Sequence, residues 1–398
     1  MASFQMKNPY KNIPLPIWML CLVSLISKSG ISVLAFFPLY LTETLHLDLR
    51  TIGHIFSFGG LGFIIGAYLG GYLSDKFGSL TVQAGSMIAE GGSFLLLGYF
   101  HSPWVLLLLI FLIGLSNAAS KSSGYSNLAA YSKQNSYACS YALNTQAISL
   151  GAIIGLAISG TLAIANYSWL FVMNGVGNLI ACAMLITFFH HRAPSKIELE
   201  VKQKMIFPWS NRHFLMLMLM VTVMGICITL DDALTLYLKQ IEHISQSKIG
   251  IIFELQLVLS ILLQLPITNY FKRFNELHMV GFGIMLVALG YFILPLCSGF
   301  YYAGFCTILI TFGEMGAIPL LYTYVTKIAP EKNKGSYIGL TNCALISIPL
   351  IVSPTLSMFI YTKFNPDTLW FGTSLLGVMI CLGLLIFQRY SYVNSTIS

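Results

Sequence analysis

Charge is what this sequence has least of. Only 9% of its 398 residues are Asp, Glu, Lys or Arg, where soluble domains carry about a quarter. The eight cysteines lie singly inside apolar runs, with no CxxC and no Cys/His cluster. That pattern excludes a disulfide framework and leaves no spacing for a metal site. No G-x-x-x-x-G-K-[ST] loop is present, so a phosphate cradle of that kind is not the energy source. Neither a catalytic constellation nor an appended soluble domain is visible, which argues against an enzyme and against a membrane receptor with a separate sensing domain. No soluble segment is large enough to bind a nucleic acid, despite the net charge of +7.

What fills the chain is hydrocarbon. Hydrophobic residues make up 56% and the mean hydropathy is +0.78. Apolar runs of roughly 20 to 25 residues recur throughout, the length a helix needs to cross ~30 Å of lipid. Breaking the chain at charged, Pro-rich or Asn-rich punctuation predicts twelve spans, at 17–41, 50–74, 80–100, 104–130, 137–163, 167–190, 213–238, 246–270, 278–298, 301–326, 336–362 and 368–388. The first run continues to Leu41 with no clean cleavage site, so it is expected to be retained.

If the N-terminus is cytoplasmic, fifteen Lys and Arg residues fall on the cytoplasmic side, and only Arg50, Lys239, Lys248 and Lys363 fall opposite. The positive-inside bias therefore predicts an integral protein of the cytoplasmic (inner) membrane with both termini in the cytoplasm. It also explains the net charge through the lipid bilayer. The longest internal polar stretch follows the sixth span, predicting an all-α protein of two six-helix pseudo-symmetric bundles. Their boundaries are 1–190 and 213–398, with a cytoplasmic linker at 191–212.

Residues 30–78 resemble the start of a major facilitator superfamily transporter. Gly71, Asp75, Lys76 and Gly78 match that family's loop between the second and third helices, although Ser79 and Leu80 stand where it has basic residues. The resemblance implies a cytoplasmic gate, with Asp75 near a helix N-terminus of the facing half. In the fifth span Gly151, Gly155 and Gly160 resemble the antiporter motif, with Leu156 in place of its proline and Ser159 in place of a glycine. Small residues at that spacing also serve close helix packing alone. The arginine often found early in the fourth span is absent, its position being Ile110. Gly313, Glu314 and Pro319, with Pro330, Glu331, Gly335, Ser336, Tyr337 and Gly339, are similar to the drug:proton antiporter branch. The implied activity is proton-coupled efflux, with no cofactor beyond the proton gradient and a monomer as the working unit.

Seven ionisable residues lie at membrane depth: Lys28, Glu90, Lys121, Asp231, Asp232, Glu254 and Glu314. Each costs at least ~2.5 kcal/mol at a helix centre, so each needs a partner, a proton or water. Five of the seven fall in spans 1, 4, 7 and 10, which the resemblance makes the cavity helices. Of these five, the two lysines lie in the first half and the three acids in the second. One cationic and one anionic wall suit a zwitterionic or amphipathic solute, or an anion opposite a proton; mutual neutralisation as an inter-half gate is the structural alternative.

Proton coupling is expected at Glu314, Asp231 and Asp232. The substrate cavity is expected at Lys28, Lys121, Glu314, Asp232 and Tyr322, with Glu90 and Glu254 as secondary candidates. Adjacent helical residues diverge, so one aspartate is expected to face the cavity and the other to face packing or coupling; which is which stays open. The reading that follows is a proton-coupled antiporter exporting a drug-like molecule or a metabolite such as a siderophore. The alternative is proton-coupled uptake of a charged nutrient.

Overall fold

The structure, a computed structural model, describes residues 13–30, 37, 40–47, 49–100, 102–133, 136–165, 167–189, 208–296 and 298–397. Most of the 191–212 linker and part of the first span lie outside the described residues. All the secondary structure among the described residues is helical. In chain order the helices are α1 (Leu15–Gly30), α2 (Leu49–Phe77), α3 (Ser79–Leu97), α4 (Pro103–Tyr131), α5 (Tyr137–Ala165) and α6 (Tyr167–Phe189). There follow α7 (Arg212–Ile228), α8 (Asp231–Gln240), α9 (Gln246–Phe271), α10 (Glu276–Ile293), α11 (Phe300–Ile328), α12 (Lys334–Asn342), α13 (Ile348–Lys363) and α14 (Pro366–Ile397). Ten helical segments among the described residues are long and apolar enough to cross a membrane, and Leu15–Gly30 is a shorter apolar helix.

Two expected spans are not continuous helices. The seventh breaks at Thr229 and Leu230, so Asp231 and Asp232 open α8 instead of interrupting a longer helix. Carboxylates belong at such a position, because the first turn presents unsatisfied N–H groups and a partial positive charge. The break is braced from α13, where Ser353 Oγ lies 2.7 Å from Thr229 Oγ1. The eleventh span changes from α12 to α13 through a π-helical turn over Cys343–Ser347.

Helices α1 to α6 pack chiefly on one another, as do α7 to α14, and the sets meet where α2 touches α12 and α5 touches α9 and α11. Glycine makes the closest approaches possible. A Cβ at Gly66 would lie 2.0 Å from the Leu115 carbonyl oxygen of α4, and one at Gly71 would lie 2.2 Å from that of Gly335. Gly151 of the small-residue motif packs on α1, where a Cβ would lie 2.4 Å from the Leu25 carbonyl oxygen. Gly155 is buried, and the contacts of Gly160 lie outside the described residues.

Candidate functional site

One end of the molecule is tied shut between the two sets of helices. Asp75, near the C-terminus of α2, accepts hydrogen bonds from Gly335 N (2.7 Å) and Ser336 N (2.7 Å), and from Ser336 Oγ. Its carboxylate thus caps the N-terminus of α12 with charge-assisted bonds, each worth ~1.5–3 kcal/mol. Gly71 supplies the close approach, and Gly78 turns the chain at φ 89° into α3. Lys76 is exposed beside the ring of Phe77. A second tie joins α5 and α9, where Lys272 Nζ donates to Cys139 Sγ at 3.1 Å.

An aromatic seal lies deeper. Tyr125 of α4 stacks on Tyr322 of α11 with centroids 4.3 Å apart, and Tyr141 of α5 closes over Tyr322 at 5.6 Å. Tyr322 is fully buried and donates to Asn342 Oδ1 (3.3 Å), while Asn342 Nδ2 donates to Ser122 Oγ (3.0 Å). Tyr322 therefore stands in the seal, where two aromatic pairs contribute ~0.5–1.5 kcal/mol each beyond burial.

Above the seal, Lys28 and Lys121 line one small cavity of about 30 Å³, together with Ser27, Ser120, Gln83, Asn144 and Tyr125. That volume suits a water or two, or the head of a small anion. Lys28 lies in the last turn of α1, where the helix dipole favours a cation. Its Nζ donates to Asn117 Oδ1 at 3.4 Å, and Asn117 Nδ2 donates to Glu90 Oε1 at 2.7 Å. Glu90, 2% exposed, is thus joined to the lysine through one amide. Its second oxygen is buried and has no hydrogen-bond partner among the described residues; Asn144 Oδ1 is in the same condition.

A larger cavity of about 240 Å³ lies where the two sets meet, between α5 of the first and α9 and α11 of the second. Glu314 lines it with Thr145, Ser149, Gln256, Ser260, Gln264 and Thr311. Every polar group but Glu314 is a neutral hydroxyl or amide, so this wall carries one acid in a field of dipoles. Across its edge Gln146 Nε2 donates to Ile261 O (2.6 Å), linking α5 to α9. Glu254 is exposed on α9, beside the outward stripe of Ile251, Leu255 and Val258, and is not among that cavity's lining. The side chains of Asp231 and Asp232 lie outside the described residues.

The structure therefore gathers Lys28, Lys121 and Glu90 into one cluster and sets Glu314 in a separate cavity. It adds residues that a search for charge passes over: Asn117, Gln83, Asn144, Gln256, Gln264 and the seal's Tyr125 and Tyr141. Neutral amides inside apolar spans were the available signal, since each buried amide also needs partners in lipid. No group of three or more His, Cys, Asp or Glu side chains capable of holding a metal exists among the described residues.

Comparison with known proteins agrees with this architecture. The sequence profile of the Major Facilitator Superfamily matches residues 17–354. A "Na(+), Li(+), K(+)/H(+) antiporter" of Planococcus maritimus is 22% identical over 340 residues, covering 76% of this chain and 78% of that protein. A probable galactarate/D-glucarate transporter of Pseudomonas putida is 34% identical over 108 residues, covering 26% of this chain and 24% of that protein. The fold matches the human organic anion transporter MFSD10 with TM-score 0.73 at 16% identity, over 94% of this chain and all of that one. It also matches the transporter FucP in an outward conformation, with TM-score 0.70 at 13% identity over 94% and 98% of the two chains. The specific resemblance to the drug:proton antiporter branch finds no counterpart in these matches. With the family profile spanning most of the chain and the interior charges held between its helices, this protein belongs to the Major Facilitator Superfamily of membrane transporters, not to an enzyme family.

Proposed function

We propose that the protein is a proton-coupled secondary active transporter of a small organic solute bearing at least one anionic group, zwitterionic or amphipathic. The observation that carries this reading is the division of charge in the interior. Lys28 and Lys121 share one cavity, and Glu314 lines another on the facing helices. A lysine so placed binds a carboxylate, and an acid among neutral dipoles exchanges a proton or holds a cationic group. The names of the relatives, a proton antiporter and a sugar-acid transporter, support both parts.

The working cycle rocks the two six-helix bundles about this interior. By the distribution of basic residues, the tied end carrying Asp75 faces the cytoplasm in a cytoplasmic membrane, so the conformation described is closed on that side. The aspartates that open α8 join Glu314 as proton-coupling candidates, because a broken helix at membrane depth presents polar backbone to an ion path.

Export is the direction implied by the likeness of Glu314 and its neighbours to drug:proton antiporters. Uptake is the second reading, favoured by the link from Lys28 through Asn117 to Glu90. Proteoliposomes containing a pH-sensitive dye test the function. Adding galactarate, or a panel of zwitterionic drugs, outside is expected to move protons in the wild type. Lys28→Gln with Lys121→Gln, and separately Glu314→Gln, are expected to abolish that movement. Proton movement unchanged in every variant would sink the reading.

A further inference from the structure

We infer that Glu90 is a proton-linked counter-charge for Lys28, taking up a proton when an anionic substrate engages the lysine, so that anion and proton travel together. The inference rests on the anion-carrying reading above and deepens it. The geometry is a relay of three side chains from three helices: Lys28 Nζ to Asn117 Oδ1 at 3.4 Å, then Asn117 Nδ2 to Glu90 Oε1 at 2.7 Å. Lys121 lines the same cavity as Lys28, so two cations share one acid there.

The groups around Glu90 leave it no other counter-charge among the described residues. From α1 and α4 the charged side chains are Lys28 and Lys121. From α6 the nearby side chains are Asn178, packed by Gly91, and Cys182, whose thiol donates to Ala84 O at 3.5 Å. Helix α2 has no charged residue between Ser57 and Ser74; its Tyr68 bonds Trp209. An ionised carboxylate in such a site is stable only while the lysine's charge reaches it.

An incoming carboxylate competes for that charge. The cavity is too small for a whole solute but admits an anionic head beside Lys28 and Lys121. Asn144, 5% exposed, lines it with an unpartnered amide oxygen, an acceptor that takes a bond from water or from a donor group of the solute and not from the carboxylate itself. When the head pairs with Lys28, Glu90 loses its counter-charge at 2% exposure. Its unbonded Oε2 then takes a proton from water. No bond to carbon forms or breaks: one anion enters, one proton is bound, and the cluster's net charge is unchanged for a monoanion.

The sign follows. Substrate and proton favour each other here, which is symport, whereas an acid that binds the substrate directly makes the two compete. An inward proton gradient would then drive uptake.

The test uses the full-length protein in detergent micelles. Infrared titration without ligand is expected to show the carbonyl stretch of a protonated carboxyl appearing on acidification and missing in Glu90→Gln. In weakly buffered solution, galactarate is expected to cause proton uptake by the wild type. Glu90→Gln is expected to bind it with no proton uptake and with an affinity that no longer falls tenfold per pH unit. Asn117→Leu, which cuts the relay and keeps the acid, is expected to uncouple binding from proton uptake. A band that persists in Glu90→Gln, or full proton uptake by that variant, overturns the inference. Loss of the band in Glu90→Gln, together with a wild type that binds neither galactarate nor any zwitterion, supports the titration of Glu90 and sinks the anion-carrier reading instead.

Discussion

The two halves of the interior handle charge in opposite ways. Around α1, α3 and α4, Lys28 lines a cavity of about 30 Å³ and is joined through Asn117 to Glu90. Around α9 and α11, Glu314 looks into about 240 Å³ lined by neutral amides and hydroxyls. The first arrangement holds charge by fixed partners, and its loss is felt by the fold. The second sets the acid on the wall of a cavity wide enough for a solute group, so its loss is felt chiefly by transport. Buried polarity therefore has two meanings in one molecule, and mutation separates them.

The largest effect is expected from stranding the buried acid. Lys28→Ala removes the cation linked to Glu90 and should cost about 3 kcal/mol or more of stability where the acid stays ionised, and less on acidification as it takes a proton, measured by denaturant unfolding in mixed micelles across pH. Adding Glu90→Gln should restore most of that loss. Next comes the tie at the Asp75 end. Asp75→Asn gives up charge-assisted bonds to the α12 N-terminus and should cost ~1–3 kcal/mol of closure. Its readout is Cys139, now buried beside Lys272, whose alkylation by a maleimide should accelerate severalfold.

Glu314→Gln should sharpen the contrast from the other side. It is expected to shift stability by less than ~1 kcal/mol while removing coupled transport, because glutamine keeps the side chain's size and its accepting oxygen and loses only the titratable proton. Glu254→Gln is the smallest. Glu254 is exposed on the outer flank of α9, and both stability and transport should stay near wild type, within ~0.5 kcal/mol for the former. A large transport defect there would mean that α9 presents a different face to the solute path.

Much of the scaffold was legible in the sequence because lipid imposes a simple rule: backbone polar groups must be satisfied within the segment, so long apolar runs become helices. Gly71 and Asp75 were singled out by their likeness to the family's loop between the second and third helices, and the bonds of Asp75 to Gly335 and Ser336 are what the structure adds. The break before Asp231 was not. Hydropathy sees Gly225 to Leu238 as one apolar run with two costly acids, whereas Thr229 and Leu230 leave the helix and place those acids at a new N-terminus. Glu90 ranked low because its helix was assigned by analogy to the periphery. Its link to Lys28 runs through Asn117, a neutral residue 27 positions further along the chain that no charge pattern reveals. Tyr322 illustrates the same limit, since a tyrosine at membrane depth fits a cavity wall as well as a seal, and only the stacked partner from α4 decides between them.

The most direct test of the contrast is a double-mutant cycle on Lys28 and Glu90, comparing the unfolding free energies of wild type, Lys28→Gln, Glu90→Gln and the double variant. The account predicts strong coupling: Lys28→Gln is much less stable than wild type, and the double variant recovers most of that stability. Additive losses, with no recovery in the double variant, would mean that the two charges do not depend on each other, and would contradict the account.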